Sequence, residues 1–165
     1  MVKKVIIAIL IATMIVISFF CCIKVAEYRG LVHLTRNNKP LHNIYPLKVY
    51  LDDGNYVVVV FENGKAVKGV RFSEGRQPVN TIGLKLTTIA NLEQYLGEDL
   101  NAIESQFGSY HVDIGSGFFM PSYITTDGYL ICFTIEVQHG NIIHVGKTDL
   151  YSGESVEWFV TDDVK

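Results

Sequence analysis

The residues with chemical potential are few and scattered. The five histidines, His33, His42, His111, His139 and His144, form no H-x-H or HExxH pattern and no Cys/His spacing suited to a metal. Asp52-Asp53, Asp113, Asp127 and Asp149 include carboxylates that distant segments can bring together as an acid pair. The Asp-Gly positions among them read first as turns, however. Gly115 and Gly117 in "DIGSGFFMPSY" have a phosphate-loop look. A phosphate cradle needs a helix N-terminus after its glycines, and Phe118, Phe119, Met120 and Pro121 follow instead. Cys132 sits inside "YLICFTIEV", where a small thiol packs as a buried hydrophobe. No nucleophile elbow frames any serine. The expectation is therefore no catalytic residue, no cofactor and no metal. The exposed-looking aromatics Phe118, Phe119 and Tyr123 beside a glycine-rich link are the candidate contact with a partner.

These residues stand in a 165-residue chain that opens on an apolar stretch. Val5 to Ile23 is 19 residues without a charge, flanked by Lys3, Lys4 and Lys24. As a helix it rises roughly 28 Å, close to the ~30 Å hydrocarbon core of a bilayer. Cleavable leaders have shorter apolar regions and a small-x-small site, and here "KVA" offers Lys24 where a small residue is needed. A lipoprotein signal needs small residues before its Cys, but Phe19 and Phe20 precede Cys21 and Cys22. The favoured reading is an uncleaved transmembrane signal-anchor over residues 1–24, crossing the membrane through residues 5–23. A cleaved leader and a lipidated Cys21 or Cys22 are the alternatives. The short basic N-terminal flank favours the N-terminus inside and the domain outside, in a bacterial envelope.

Residues 25–45 read as a juxtamembrane spacer with one short strand at Leu31 to Thr35, and residues 46–165 as a single α+β extracytoplasmic domain. Downstream of Lys24, the chain's 14 basic and 17 acidic residues leave 11 against 17, a net of −6. Such a surface repels nucleic acid.

Within the domain, "YPLKVYLDDGNYVVVVFENGKAVKGVRF" holds three strand-like segments parted by Asp53-Gly54 and Asn63-Gly64, a strong hairpin signal. Ala66, Val70 and Phe72 are expected on one strand face with Lys68. In "TTIANLEQYLG" and "EDLNAIESQFG" the apolar residues switch to helical spacing, with Asp99 as a cap and Gly97 and Gly108 as stops. These predict two short helices that need a sheet to dock on. Afterwards the chain returns to β. Tyr129, Ile131, Phe133, Ile135 and Val137 alternate onto one face, with Cys132, Thr134, Glu136 and Gln138 on the other. Asp149 to Lys165 adds an edge strand. The fold class is thus α+β: an N-terminal transmembrane helix, an antiparallel β meander, two short helices and a C-terminal antiparallel sheet. Segments 52–70 and 126–145 echo one another, each with Asp-Gly, a Tyr, an apolar strand and a glycine turn.

Over about residues 87–148, "EDLNAIESQFGSYHVDIGSG…YITTDGYLICFTIEVQHGNIIHV" resembles the repeat domains of SmpA/OmlA-like envelope lipoproteins and the beta-lactamase inhibitor protein. That resemblance implies a non-enzymatic module that binds another protein through sheet faces and loops, and it transfers no functional residue. The expected function is a membrane-anchored, extracytoplasmic protein-binding module, a scaffold or inhibitor with an unidentified protein partner. The alternatives are an envelope hydrolase with an acid or Cys132 centre, or an immunity-type protein neutralising a toxin.

Overall fold

The computed structural model describes residues 2–115, 117–137 and 139–161. It has the expected α+β class, with two five-stranded antiparallel meanders, each in simple sequence order. Helix α1 (Val2–Asn37) leads into sheet 1, made of β1 (His42–Ile44), β2 (Leu47–Asp52), β3 (Asn55–Glu62), β4 (Lys65–Phe72) and β5 (Pro78–Ile82). A 3₁₀ turn (Leu92–Tyr95) and helix α2 (Leu100–Phe107) precede sheet 2. Its strands are β6 (Val112–Asp113), β7 (Pro121–Ile124), β8 (Tyr129–Ile135), β9 (Ile142–Asp149) and β10 (Ser155–Val160). The echoed segments occupy the same place in both meanders, the third and fourth strands. The last part of the tail expected as edge strand, residues 162–165, lies outside the described residues, as do Gln138 and Ser116.

Four layers follow from which side chains each strand face buries. Leu47, Val49, Tyr56, Val58, Val60, Val70 and Phe72 of sheet 1 meet Ile124, Leu130, Cys132 and Leu150 of the second half in one inter-sheet core. The opposite face of sheet 1, with Tyr50, Val57 and Val59, is covered by Leu31 and Leu34 of α1. The opposite face of sheet 2, with Tyr123, Ile131, Phe133 and Val145, is covered by Ile89, Leu92, Tyr95 and Ile103. Strands β3 and β8 are therefore buried on both sides, which is why they read "YVVVV" and "YLICF" without polar alternation.

Turn chemistry sets the register of sheet 1. Asp53 and Gly54, then Asn63 and Gly64, all take positive φ and close two-residue hairpins, pairing Asp52 with Asn55 and Glu62 with Lys65. One expectation fails here. Ala66 faces α1 while Val70 and Phe72 face the inter-sheet core. The register shifts between Val60 and Phe61, so β4 carries one extra residue and the faces exchange.

Two segments differ from expectation in their helical content. The expected spacer strand at Leu31 to Thr35 is helical, because α1 continues without a break to Asn37. Extending an existing helix adds one hydrogen bond per residue with no new nucleation cost, and Leu31 and Leu34 fall on one side to meet sheet 1. The segment 87–97 does not form a full helix. Thr87 bridges to Thr125, Asn91 takes φ 53°, and only Leu92–Tyr95 turns helically. Its Ile89 and Leu92 still reach the core. Helix α2 conforms: Asp99 Oδ1 accepts from Asn101 N at 2.6 Å, and Gly108 ends the helix at φ 84°.

Candidate functional site

Cys132, Asp113 and Asp127 go to separate places, while His111 and Asp113 border one open groove. Cys132 lies buried between the two sheets, across from Ser122, and burial pushes its thiol up to about 11. Asp113 is occupied by its own loop: Oδ1 accepts from Gly115 N at 3.0 Å and from Met120 N at 2.9 Å. Asp127 borders an open groove on another side of sheet 2, with Lys147, Glu157 and the 3₁₀ turn. His111 has both ring nitrogens engaged, since Nδ1 accepts from Ile124 N at 2.9 Å and Nε2, left to carry the proton, donates to the Lys85 carbonyl at 2.9 Å. Asp113 and His111 thus hold loops and strands together.

His111 gives a testable pH dependence. Burial lowers its pKa, the Lys85 carbonyl opposes that, and the Lys68 charge adds to it. The folded state therefore favours the neutral ring, and the unfolded chain takes up a proton first on acidification. The stability His111 contributes is complete above its unfolded pKa of ~6.5 and is lost as pH falls from there toward the folded value. Melting temperatures of the wild type and His111→Gln across about pH 7 to pH 5 test this, with a shallower acid-side decline expected for the variant. Parallel curves would assign the decline to other groups.

A polar cluster joins the two sheets at one end. Arg76, held at φ 62° in the β4–β5 turn, donates from Nη2 to Asp149 Oδ2 at 2.5 Å and from Nη1 to the Tyr129 hydroxyl at 2.8 Å. Asp149 Oδ1 accepts from Tyr151 N at 2.8 Å. The Tyr56 ring stacks on Phe72 beside this cluster, with centroids 5.0 Å apart. Its hydroxyl is the one buried side-chain polar atom without a partner among the described residues. Burial pushes that phenol up to about 12. Gly128 makes the fit possible, because a Cβ there would lie 2.2 Å from the hydroxyl. An unmade buried hydrogen bond costs about 1–3 kcal/mol, so Tyr56→Phe is expected to stabilise by about 1 kcal/mol, raising the melting temperature by roughly 3 °C. A lower melting temperature would mean that the hydroxyl is satisfied in solution.

Of the three aromatics expected to form a contact, the structure keeps two together. Phe118 is 71% exposed and Phe119 41% exposed on the β6–β7 loop. Tyr123 is fully buried and cannot belong to a surface. It packs edge-on to Phe107 and Phe133, and its hydroxyl donates to the Gly108 carbonyl at 2.8 Å. The reason is strand register: Tyr123 pairs with Ile131 and shares its face toward α2. Tyr110 takes its place beside Phe119, with ring centroids 5.6 Å apart. The loop backbone is defined by the two Asp113 bonds, by Ile114 N donating to the Met120 carbonyl, and by Gly115. A Cβ at Gly115 would fall 1.6 Å from the Phe118 carbonyl oxygen.

Sequence reasoning missed a second apolar surface on β10. Val156, Trp158 and Val160 are exposed on this outermost strand, Trp158 by 53%. Trp158 pairs with Gly146, and a Cβ there would lie 2.3 Å from its ring. Gly146 in the middle of β9 was the available signal, since a glycine inside a strand marks a close approach. No protein-family model, curated protein or solved structure matches this chain.

Proposed function

We propose that this chain is a single-pass membrane protein, anchored through residues 5–23 with its amino terminus inside and its folded domain outside the cytoplasm. The domain works by holding a partner protein rather than by catalysis. Support for the anchor comes from α1, which is long and apolar enough to cross a membrane, and whose side chains from Ile9 to Cys22 are all exposed. A surface of that extent is compatible with lipid and costly in water.

Phe118 carries the contact reading. A large aromatic side chain exposed on a loop whose ends are bonded through Asp113 and Ile114 has the form of an interface anchor. The hydrolase alternative draws no support from a thiol buried between two sheets. The resemblance to envelope binding modules is in keeping with this proposal.

The test uses the full-length chain in intact membranes. A photo-crosslinking residue at Phe118 is expected to give one discrete adduct, absent when placed at exposed Tyr45, and recovery of the partner is expected to fall by tenfold or more, about 1.4 kcal/mol or above, with Phe118→Ala. Equal labelling at both positions, or unchanged recovery, would remove the proposed contact. Protection of a C-terminal tag from protease in intact cells would overturn the orientation.

A further inference from the structure

We propose that β5 is the membrane-facing edge of the domain and rests in the phospholipid headgroup layer, with Val79 as its lipid-contacting side chain. This rests on the reading that residues 5–23 span the bilayer.

Because α1 is unbroken to Asn37, the direction in which it leaves the membrane is also the direction in which it crosses the domain. The order of its contacts shows that direction. Glu27 Oε1 accepts from Asn80 Nδ2 of β5 at 3.2 Å. One turn later, Leu31 lies against Gly69 of β4, where an added Cβ would be 2.9 Å from the leucine. The helix also reaches β2, and just past its end Leu41 N donates to the Val49 carbonyl of β2 at 2.7 Å. In sheet order these contacts run from β5 through β4 to β2, so β5 is nearest the membrane and β1 farthest.

Heights follow from helix rise. Glu27 is four residues past Ile23, or about 6 Å beyond the end of the apolar stretch. Each headgroup layer is roughly 5–8 Å deep, from the difference between a ~30 Å core and a ~40–45 Å bilayer. The β5 strand bonded to Glu27 therefore sits in that layer. Asn37 is a further ten residues along, about 15 Å higher, which lifts the β1 edge clear of lipid.

The chemistry of this edge suits the location. Val79 is 61% exposed, and its neighbours Gln77, Pro78 and Asn80 are exposed and uncharged. The exposed cations Lys24 and Arg29 flank the junction, and Glu27, the acid nearest it, is bonded to Lys24 at 3.2 Å as well as to Asn80. An exposed outer strand normally invites pairing with another chain. Lying against headgroups occupies that edge instead.

Single-tryptophan variants of the full-length chain provide the test, in a Trp158→Phe background reconstituted into vesicles of phosphatidylcholine and phosphatidylglycerol. Ile15→Trp should lose emission to lipids brominated in the acyl chain. Val79→Trp should lose emission to phosphatidylcholine carrying a nitroxide on its headgroup, and Leu41→Trp, beside β1, should keep its emission. Tryptophan's own preference for the interface acts equally at residues 79 and 41, so the contrast between them is the readout. Quenching at residue 15 without quenching at residue 79, or equal quenching at 79 and 41, overturns the membrane-facing edge and leaves the anchor standing. Failure to quench at residue 15 overturns the anchor itself.

Discussion

Phe133→Ala is expected to destabilise the domain by about 3–5 kcal/mol, the range for removing a buried aromatic ring. Phe133 is fully buried at the centre of β8, on the face of sheet 2 that the 3₁₀ turn and α2 cover. Its ring meets Tyr95 and Tyr123 edge-on, each with centroids 6.0 Å apart, and such pairs add to the simple area term. Neither covering element is long enough to hold its own conformation in water. The packing around Phe133 therefore fixes the segment that joins the two sheets. Thermal or denaturant unfolding of the full chain in detergent measures the loss, expected near 10 °C in melting temperature at roughly 2–4 °C per kcal/mol. A loss under about 1 kcal/mol would show that the layer holds without its central ring. Cys132→Ala next door should cost less, because it removes one sulfur from the opposite core.

The difference between β8 and the segment before α2 shows what sequence pattern can and cannot specify. In β8 the alternation of Ile131 and Phe133 against Leu130 and Cys132 follows from strand geometry alone, so each face could be read directly. Likewise Asn63-Gly64 requires positive φ at both positions, a local demand that nothing distant can override. The spacing of Ile89, Leu92 and Leu96 is different. A helix satisfies it, but so does an extended segment that pairs Thr87 with Thr125 and then turns once at Leu92–Tyr95. Tertiary pairing selected the second solution. Tyr123 shows the same limit, since β7 is buried on both faces, and that follows from its place between β6 and β8 with a layer on either side. The surface at Trp158 was hidden for a related reason. Its exposure depends on whether a second layer covers that face of β10, which the tertiary arrangement decides and "SVEWFV" alone does not.

Leu31→Asp is expected to undock the end of α1 from sheet 1 and to cost about 3–5 kcal/mol, combining the loss of a buried leucine with the penalty for placing a carboxylate in an apolar contact. Leu31 is almost fully buried, and the absence of a side chain at Gly69 is what lets the helix lie so close to β4. The inter-sheet core contains no residue of α1, so the two sheets should stay paired while Tyr50, Val57 and Val59 lose their cover. The expected result is a lower melting temperature with most β structure retained below it, and new proteolytic cleavage at Arg29 and Arg36, both basic and both within the freed turns. The same substitution in the Val79→Trp chain separates two roles for the helix. If α1 is a strut that sets the height of the domain, undocking it should abolish headgroup quenching at residue 79 while quenching at residue 15 persists. If α1 is only a leash, neither stability nor quenching at residue 79 should depend on Leu31. Because Gly69 and Leu31 complement each other in shape, Gly69→Leu should reproduce the undocked behaviour from the opposite side of the contact, and intact behaviour in both variants would reject the strut.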